Sequence, residues 1–509
     1  MKLSRRQLLG LGAAGAVGLV SPLAIAQARG QQIRFPRGRR PKNVIFFVFD
    51  GMAMSVPTMV DHFRQMTDGK HSLWADVLKD PRYAVGLQDT RSLSSVVTDS
   101  AAAASTWGSG RLIWNGQLNI YPDGTELKPL TRIMSEAGVK CGLVTTTTMT
   151  HATPAGFAVS CIGRDLQPLI AEKYLDCGVD VFFGGGDRFF NPDRRPDKKD
   201  LYAEFARRGF KVVKTRDEIA GLRGERLLGI FSDSHVPFTV DRNNDPVLRR
   251  TVPTLAEMTA CALENLKGAR NGFLLQVEAG KVDHAAHGND LAGMFWDQVA
   301  GEDALRVCFD FAERHGDTLV IATADHACGG PSLNGAGDEY FDSTAGLKSA
   351  SNFRASYDVL IPLLRENKTR GHVQDVIEDR LAFKLSAKEA DAIVSMLDGK
   401  SPFGDSTFFG GLSSVLGMIL GNHNKVTWTS GNHTADHVLV TGFGPGSELV
   451  AGLTQNTHFF DLMLATKGLR HENPRMSFED AKRAHDKAGG IPEELSAYLS
   501  PDDDCMCHS

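Results

Sequence analysis

The sequence predicts an α/β protein with a large, mostly parallel central sheet flanked by helices on both faces. Short apolar segments alternate with longer helical patterns, which is the order of strands and crossover helices in such a sheet. The segments are apolar almost throughout, as strands covered on both faces are. They are Asn43–Phe49, Val139–Thr145, Val179–Phe183, Gly272–Glu278, Thr318–Thr323 and His437–Thr441. A chain of 509 residues, 42% of them hydrophobic, can bury one large core with insertions or form two to three domains.

The chain begins with the pattern of an export signal. Ser4–Leu9 is SRRQLL, a twin-arginine motif, and a Gly- and Ala-rich apolar stretch and small-residue sites follow it up to Ala28. We predict that residues 1–28 form a twin-arginine signal peptide and that the mature protein is periplasmic or secreted, without a stable membrane anchor. An uncleaved anchor helix is the alternative, but the apolar stretch is short for a bilayer span. Residues 29–42 form a basic linker.

The predicted first part of the core, residues 43–330, opens with two candidate site residues. The first strand ends in Asp50-Gly51, which puts a carboxylate at the sheet edge where open α/β proteins bind ligands, unless Asp50 only belongs to a turn. Further on, VVTDSAAAASTW places Asp99 and Ser100 where an Ala-rich helix begins. Ser100 is either an ordinary N-cap or a nucleophile at the positive end of that helix, and its neighbours decide between the two.

The segment after the second predicted strand adds three polar residues. It is THATPAGFAVSCIGR and supplies His151, Thr153 and Arg164. An arginine in this position suits bidentate binding of a phosphate group.

The strand Gly272–Glu278 ends in a carboxylate and leads directly into a histidine-rich segment. Asp283 and His287 lie four residues apart, so on a helix they share one face at a chelating spacing. His284 points elsewhere. Because the segment follows a buried strand, a position on the open surface is the less favoured alternative for these residues.

The last predicted core strands supply the remaining candidate site residues. ATADHACGG puts Asp325 and His326 just after a strand, and the glycines that follow let the chain leave the sheet so that both can face one site. Residues 331–428 contain no catalytic pattern, and we interpret them as a mainly helical insertion that crowns the core or forms an interface. The core is completed by 429–470, where His433 precedes a strand and His437 is its rival, and 471–509 form a C-terminal helix and tail.

Taken together, these fragments indicate a metal centre. So many carboxylates at one sheet edge would repel one another without cations. Sites of mixed nitrogen and oxygen ligands suit zinc, and all-oxygen sites suit magnesium. The candidate metal ligands are Asp50, Thr153, Glu278, Asp283, His287, Asp325, His326 and His433.

In their order and spacing these residues resemble the alkaline phosphatase family of metal-dependent phosphomonoesterases. The resemblance covers about 43–330 and 429–465. It implies the family's α/β fold, two Zn²⁺ ions and one Mg²⁺ ion, phosphate monoester substrates and a homodimer. It also implies that Ser100 is the nucleophile that becomes phosphorylated and that Arg164 grips the phosphate, with Asp99 helping to position it.

The resemblance divides the ligands among three metal sites. The sets that it implies are Asp283, His287 and His433 for one zinc, Asp50, Asp325 and His326 for the other, and Asp50, Thr153 and Glu278 for magnesium. Some bacterial members have Asp and Lys where this chain has His151 and His284. These two positions influence the third metal and the phosphate contact.

Two other functions stay open at this stage. A phosphodiesterase, sulfatase or related hydrolase of the same metal superfamily would share the zinc sites, although Thr153, Glu278 and Arg164 favour a third metal and a dianionic phosphate. A non-catalytic exported protein that binds phosphate or metal would not need Ser100. A formal net charge of −5 gives no indication of a nucleic-acid partner, and eight cysteines permit disulfides whose pairing the sequence does not determine.

Overall fold

The computed structural model describes residues 33, 35, 39–404 and 406–499. The predicted signal peptide, much of the basic linker and the end of the tail lie outside these residues. The strands are β1 (Asn43–Phe49), β2 (Ala84–Asp89), β3 (Lys140–Thr148), β4 (Val181–Gly185), β5 (Phe210–Val213), β6 (Arg226–Ile230), β7 (Phe273–Ala279), β8 (Thr318–Thr323), β9 (Ala327–Cys328), β10 (Ser332–Leu333), β11 (Val426–Thr427), β12 (His433–Thr434), β13 (Val438–Phe443) and β14 (Gly452–Gln455).

Ten of these strands form one sheet in the order β14-β2-β13-β8-β1-β7-β3-β4-β6-β5. Within the described sheet, β13 alone runs antiparallel to its neighbours, β2 and β8, so the predicted large and mostly parallel sheet is confirmed. All six predicted strands are present. The prediction missed β2, β5, β6 and β14, which are four to six residues long and occupy the outer two positions at each end of the sheet, where the apolar pattern is weak.

Helices cover both faces of this sheet. They are α1 (Ser55–Asp68), α2 (Leu73–Lys79), α3 (Ser100–Ser109), α4 (Leu130–Glu136), α5 (Ala152–Ala158), α6 (Gln167–Lys173), α7 (Leu201–Arg207), α8 (Thr239–Asn244), α9 (Pro246–Thr251), α10 (Leu255–Leu266), α11 (Lys281–His287), α12 (Leu291–His315), α13 (Phe341–Lys348), α14 (Tyr357–Glu366), α15 (Arg370–Leu381), α16 (Ala387–Leu397), α17 (Leu412–Asn424), α18 (His458–Thr466) and α19 (Phe478–Ala488). Within the described residues, no helix is both long and apolar enough to cross a membrane.

The apolar core lies in two layers, one on each face of the sheet. Along β1, Phe47 and Phe49 point into a layer formed with α1, α2, α10 and α12, whereas Phe46 and Val48 point into a layer formed with α3 to α7 and α18. This alternation is the period of two that a strand imposes, and each such buried side chain stabilises the fold by about 1.5–3 kcal/mol. A strand covered on both faces must therefore be apolar at every position, as β1 is.

The segment 331–428 is mainly helical and contains α13 to α17. Its strands β10 and β11 pair with each other, and its apolar side chains, such as Leu360 and Ile393, extend the core layer that contains α1 and α12. Ser386 caps α16 in a capping box with Glu389. Whether the segment crowns the core or forms an interface stays a prediction.

Candidate active site

Four neighbouring parallel strands, β8, β1, β7 and β3, end at the same edge of the sheet. Asp50 directly follows β1, Glu278 lies near the end of β7, Asp325 follows β8 and His151 follows β3. Because parallel strands present their carboxyl ends together, this topology brings polar groups from distant parts of the chain to one place.

The first cluster at this edge consists of Asp50, Asp325 and His326, whose side chains are fully buried. His326 Nε2 lies 3.2 Å from Asp325 Oδ2 and 3.6 Å from Asp50 Oδ1. The backbone N–H groups of Gly51 and His326 donate hydrogen bonds of 3.1 and 2.9 Å to Asp325 Oδ1. These bonds fix the carboxylate and leave its Oδ2 atom for the cluster.

A second cluster combines Asp283, His287, Cys328 and His433, whose ligand atoms lie within 4.8 Å of one another. Asp283 and His287 lie one turn apart on α11, and their Oδ2 and Nε2 atoms are 3.2 Å apart. His433 Nε2, from β12, is 2.9 Å from His287 Nε2 and 3.6 Å from Asp283 Oδ1. His437, the rival to His433, is exposed and stands outside this cluster.

The two histidines of this second cluster are oriented as metal ligands are. His287 Nδ1 is 2.6 Å from the carbonyl oxygen of Gly431, and His433 Nδ1 is 2.8 Å from that of Thr98. A carbonyl only accepts, so each Nδ1 donates, and both Nε2 atoms face the cluster. The two Nε2 atoms lie 2.9 Å apart beside the Asp283 carboxylate, an arrangement in which both rings can bind one cation.

The third cluster is built of oxygens, with His151 at its side. Thr153 Oγ1 donates to Asp50 Oδ2 at 3.5 Å, and Thr145 Oγ1 donates to Glu278 Oε2 at 2.5 Å. His151 Nδ1 is 3.9 Å from Glu278 Oε1. Asp50 thus belongs to both the first and the third cluster.

The buried carboxylates of these clusters have the properties expected of cation ligands. Among the described residues, no group donates a hydrogen bond to Asp50 Oδ1, Glu278 Oε1 or Asp325 Oδ2. Burial raises the pKa of Asp50 well above its usual range, and the charges of Asp325, Asp283 and Glu278 raise it further. Burial also raises the pKa of Glu278 to about 7. Divalent cations would remove this cost, so the residues fit bound metal ions.

Ser100 is the first residue of α3 and is fully buried. Asp99 is the N-cap, because its Oδ1 atom accepts a 2.9 Å hydrogen bond from the N–H group of Ala102. The interpretation of Ser100 as an ordinary N-cap is therefore wrong. Instead, Ser100 Oγ lies 3.2 Å from His326 Nε2, so the hydroxyl faces the first cluster from the positive end of the helix.

Arg164 lies at the same end of α3 and is 4% exposed. Its Nη1 atom donates to Asp99 Oδ2 at 3.1 Å, and its Nη2 atom donates to His151 Nε2 at 3.0 Å. Asp99 Oδ2 also accepts from the N–H group of Gly116 at 2.9 Å, so one carboxylate caps the helix and orients the guanidinium. Burial and the charge of Arg164 lower the pKa of His151 to about 3, which keeps this imidazole neutral.

Two residues at the site were not predicted from the sequence. His235, in the loop after β6, accepts a 3.0 Å hydrogen bond from the N–H group of Thr148, and its ring centroid lies 4.4 Å from that of His284. Burial, with smaller contributions from neighbouring positive charges, lowers the pKa of both imidazoles well below the usual value. His235 follows a strand, as the predicted residues do, but β6 itself was missed. The second residue, Cys328, lies two positions beyond His326, a spacing that places extended side chains on one face.

Comparison with known proteins identifies the family. The model of the alkaline phosphatase family matches residues 41–469. Alkaline phosphatase 3 of Bacillus subtilis (strain 168) is 30% identical over 444 residues, which cover 85% of this chain and 90% of that protein. The alkaline phosphatase of Escherichia coli (strain K12) is 28% identical over 472 residues, 84% of this chain and 86% of that protein.

A solved structure agrees with this assignment. The crystal structure of Thermus thermophilus alkaline phosphatase matches with a TM-score of 0.84 and 37% identity, over 92% of this chain and 100% of that chain. Both the fold and the family expected from the sequence are thereby confirmed. The chain belongs to the alkaline phosphatase family, whose members are phosphomonoester hydrolases.

Proposed function

We propose that this protein is an exported alkaline phosphatase that hydrolyses phosphate monoesters through a phosphoserine at Ser100, with two Zn²⁺ ions and one Mg²⁺ ion bound. The observation that carries the proposal is the position of Ser100, whose Oγ atom lies 3.2 Å from His326 Nε2 at the N-terminus of α3. A protein that only binds phosphate or metal has no use for a hydroxyl aimed at its ligand cluster.

The three clusters supply the ligands for these ions. In this proposal the sets are Asp283, His287 and His433 for one zinc, Asp50, Asp325 and His326 for the other, and Asp50, Thr153 and Glu278 for magnesium. The first two sets combine nitrogen with oxygen, as zinc prefers, and the third offers oxygens, as magnesium prefers. When bound, the ions would supply the positive charge that activates a serine hydroxyl and stabilises the oxygens that enter and leave phosphorus.

The residues of the chain account for both halves of the reaction. The Ser100 hydroxyl gives its proton to the solvent as its oxygen forms a bond to phosphorus, and the bond from phosphorus to the alcohol oxygen breaks, so the alcohol leaves with a proton taken from the solvent. Water then loses a proton to the solvent as its oxygen forms the new bond to phosphorus. The bond from phosphorus to the Ser100 oxygen breaks, Ser100 takes up a proton and inorganic phosphate is released. Through both halves the guanidinium of Arg164, oriented by Asp99, binds the non-bridging oxygens of the phosphoryl group.

The proposal is tested with three chromogenic esters that share one leaving group: a phosphate monoester, a phosphate diester and a sulfate ester. We expect hydrolysis of the monoester that a chelator abolishes, and a loss of at least about 10³-fold in Ser100→Ala. Ser109→Ala is the matched control, because Ser109 lies at the other end of α3 and its hydroxyl donates, within the described part of the chain, only to the Ser105 carbonyl oxygen, at 2.7 Å. A preference for the diester, or full activity in Ser100→Ala, would contradict the proposal.

Export and assembly are part of the same proposal. The SRRQLL motif supports the twin-arginine route to the periplasm or the medium, and family membership supports a homodimer. Replacing Arg5 and Arg6 by lysine should leave the phosphatase in the cytoplasmic fraction, and sedimentation should give the mass of two chains. Normal export of the double variant would refute the twin-arginine route, and the mass of one chain would refute the homodimer.

A further inference from the structure

One side chain with a metal-binding atom has no part in the proposed reaction. Cys328 Sγ lies within 4.8 Å of the ligand atoms of Asp283, His287 and His433, and the residue is fully buried. Six cysteines in the described part of the chain are free thiols, and all are buried. Of these, Cys328 alone belongs to a group of three or more potential metal ligands.

Three elements hold Cys328 in this position. In the β9–β12 ladder Cys328 pairs directly with His433, so the two side chains share a face of that ladder. The N–H group of Cys328 donates a 3.0 Å hydrogen bond to the carbonyl oxygen of Gly51, next to Asp50. The following residue, Gly329, has a φ of 70°, and a Cβ atom there would lie 2.8 Å from the carbonyl oxygen of Ala286. This close approach brings β9 against α11, which carries Asp283 and His287.

A buried cysteine is commonly no more than a small apolar side chain. Cys308 on α12 is of that kind, because it lies within the apolar core layer and, among the described residues, belongs to no group of potential metal ligands. Cys328 also borders this layer, but its Sγ atom adjoins a carboxylate and two imidazoles as well. The environment is that of a ligand set, and carboxylate, imidazole and thiolate groups are the ligands from which zinc sites are built.

We propose that Cys328 Sγ is a fourth protein ligand of the metal ion held by Asp283, His287 and His433, an inference that rests on the proposed function. On binding, the S–H bond breaks, its proton goes to the solvent and a sulfur lone pair is donated to the ion. A thiolate is a soft ligand, so the set favours zinc over magnesium or manganese. Zinc in enzymes expands to five ligands, so a fourth protein ligand leaves access for substrate.

The test replaces zinc by Co²⁺, whose bond to a thiolate gives a charge-transfer absorption in the near ultraviolet. Because Cys505 and Cys507 lie outside the described residues and could also bind cobalt, all variants are made in a Cys505→Ser/Cys507→Ser background. We expect the band in this background and in the control variant Cys308→Ala, and its loss in Cys328→Ser. Zinc affinity, measured by competition with a chromophoric chelator, should fall at least about 10-fold in Cys328→Ser. A band that survives in Cys328→Ser, or is missing at full cobalt occupancy in the background protein, would overturn the proposal.

X-ray absorption of the zinc-loaded background protein gives an answer even if Cys328→Ser fails to fold. A zinc–sulfur distance of about 2.3 Å is expected, and a first shell of nitrogen and oxygen alone would refute the inference. Monoester hydrolysis is measured in the same preparations. An active enzyme without a thiolate band overturns only the role of Cys328, whereas a thiolate band in an enzyme that hydrolyses no monoester overturns the proposed function.

Discussion

Helix α3, which carries Ser100, packs so closely on α5 that Gly108 has no room for a side chain. A Cβ atom on Gly108 would lie 1.9 Å from the carbonyl oxygen of Gly156 and 2.9 Å from its carbonyl carbon. Both are backbone atoms, so no side-chain rotation relieves the contact. Since carbon and oxygen approach to about 3.3 Å, Gly108→Ala must push the helices apart by roughly 1.4 Å.

This displacement has a cost in stability and a cost in rate. Overpacking costs about 1–3 kcal/mol, and the 2.6 Å hydrogen bond from Asn119 Nδ2 to the same Gly156 oxygen is weakened as well. The higher helix propensity of alanine returns up to about 1 kcal/mol. We therefore expect Gly108→Ala to lower the free energy of unfolding by about 1–3 kcal/mol. A shift of more than about 1 Å between Ser100 on α3 and Thr153 on α5 should lower kcat at least about 10²-fold.

The assay is denaturant unfolding together with monoester hydrolysis at saturating zinc and magnesium. Gly371→Ala is the matched control, because Gly371 lies in the exposed first turn of α15 and a Cβ atom there meets nothing within 4 Å. In Gly371→Ala the free energy of unfolding should rise by about 0.5–1 kcal/mol and the activity should stay unchanged. Wild-type stability of Gly108→Ala would refute the packing argument, and a destabilised Gly108→Ala with normal kcat would refute the link between this packing and the position of Ser100.

Three further predictions follow from individual contacts. Burial raises the pKa of Glu302 from its ordinary value of 4.5 to about 7, so the folded protein binds more protons than the unfolded chain between these values. The free energy of unfolding should therefore fall as the pH rises through this window, by at most about 3.4 kcal/mol. Glu302→Gln should remove this part of the pH dependence in urea titrations, and an equal pH dependence in the variant and the wild type would contradict the assignment. Arg164→Lys keeps the positive charge but loses the forked guanidinium that donates to Asp99 and His151. We therefore expect kcat/KM to fall about 10²-fold and inhibition by inorganic phosphate to weaken. An unchanged inhibition constant for phosphate would refute the role of Arg164 in phosphate binding. Removal of metal ions leaves the buried carboxylates without counter-charge, so the Tm should fall with a chelator and recover with zinc, and a constant Tm would argue against metal at the clusters.

The central strands and most candidate ligands could be predicted from the sequence for one physical reason. Strands buried on both faces are continuous apolar runs, and in a parallel sheet the polar residue that ends each run reaches the same edge. Asp50, Glu278 and Asp325 were identified in this way. The i, i+4 spacing of Asp283 and His287 likewise depends only on local helix geometry.

What the sequence left open depends on contacts between distant segments. Strand β6, which lies next to the edge strand β5, has only five residues, and because it was missed, His235 was missed as well. The choice between Asp99 and Ser100 as N-cap is decided by the path of the backbone into α3, not by residue type, since both residues are good caps. Cys328 joins the second cluster through contacts with distant segments, among them the pairing of β9 with β12, which joins residues 105 positions apart in the chain.

The most direct test of the central claim is to trap the phosphorylated enzyme. The protein is mixed with excess phosphate monoester, quenched in acid during turnover and digested for mass spectrometry. The account predicts one phosphoryl group on the peptide that contains Ser100, also in Ser109→Ala, and none in Ser100→Ala. An enzyme that turns over the monoester with no phosphoryl group on Ser100, or with the group on another residue, would contradict it.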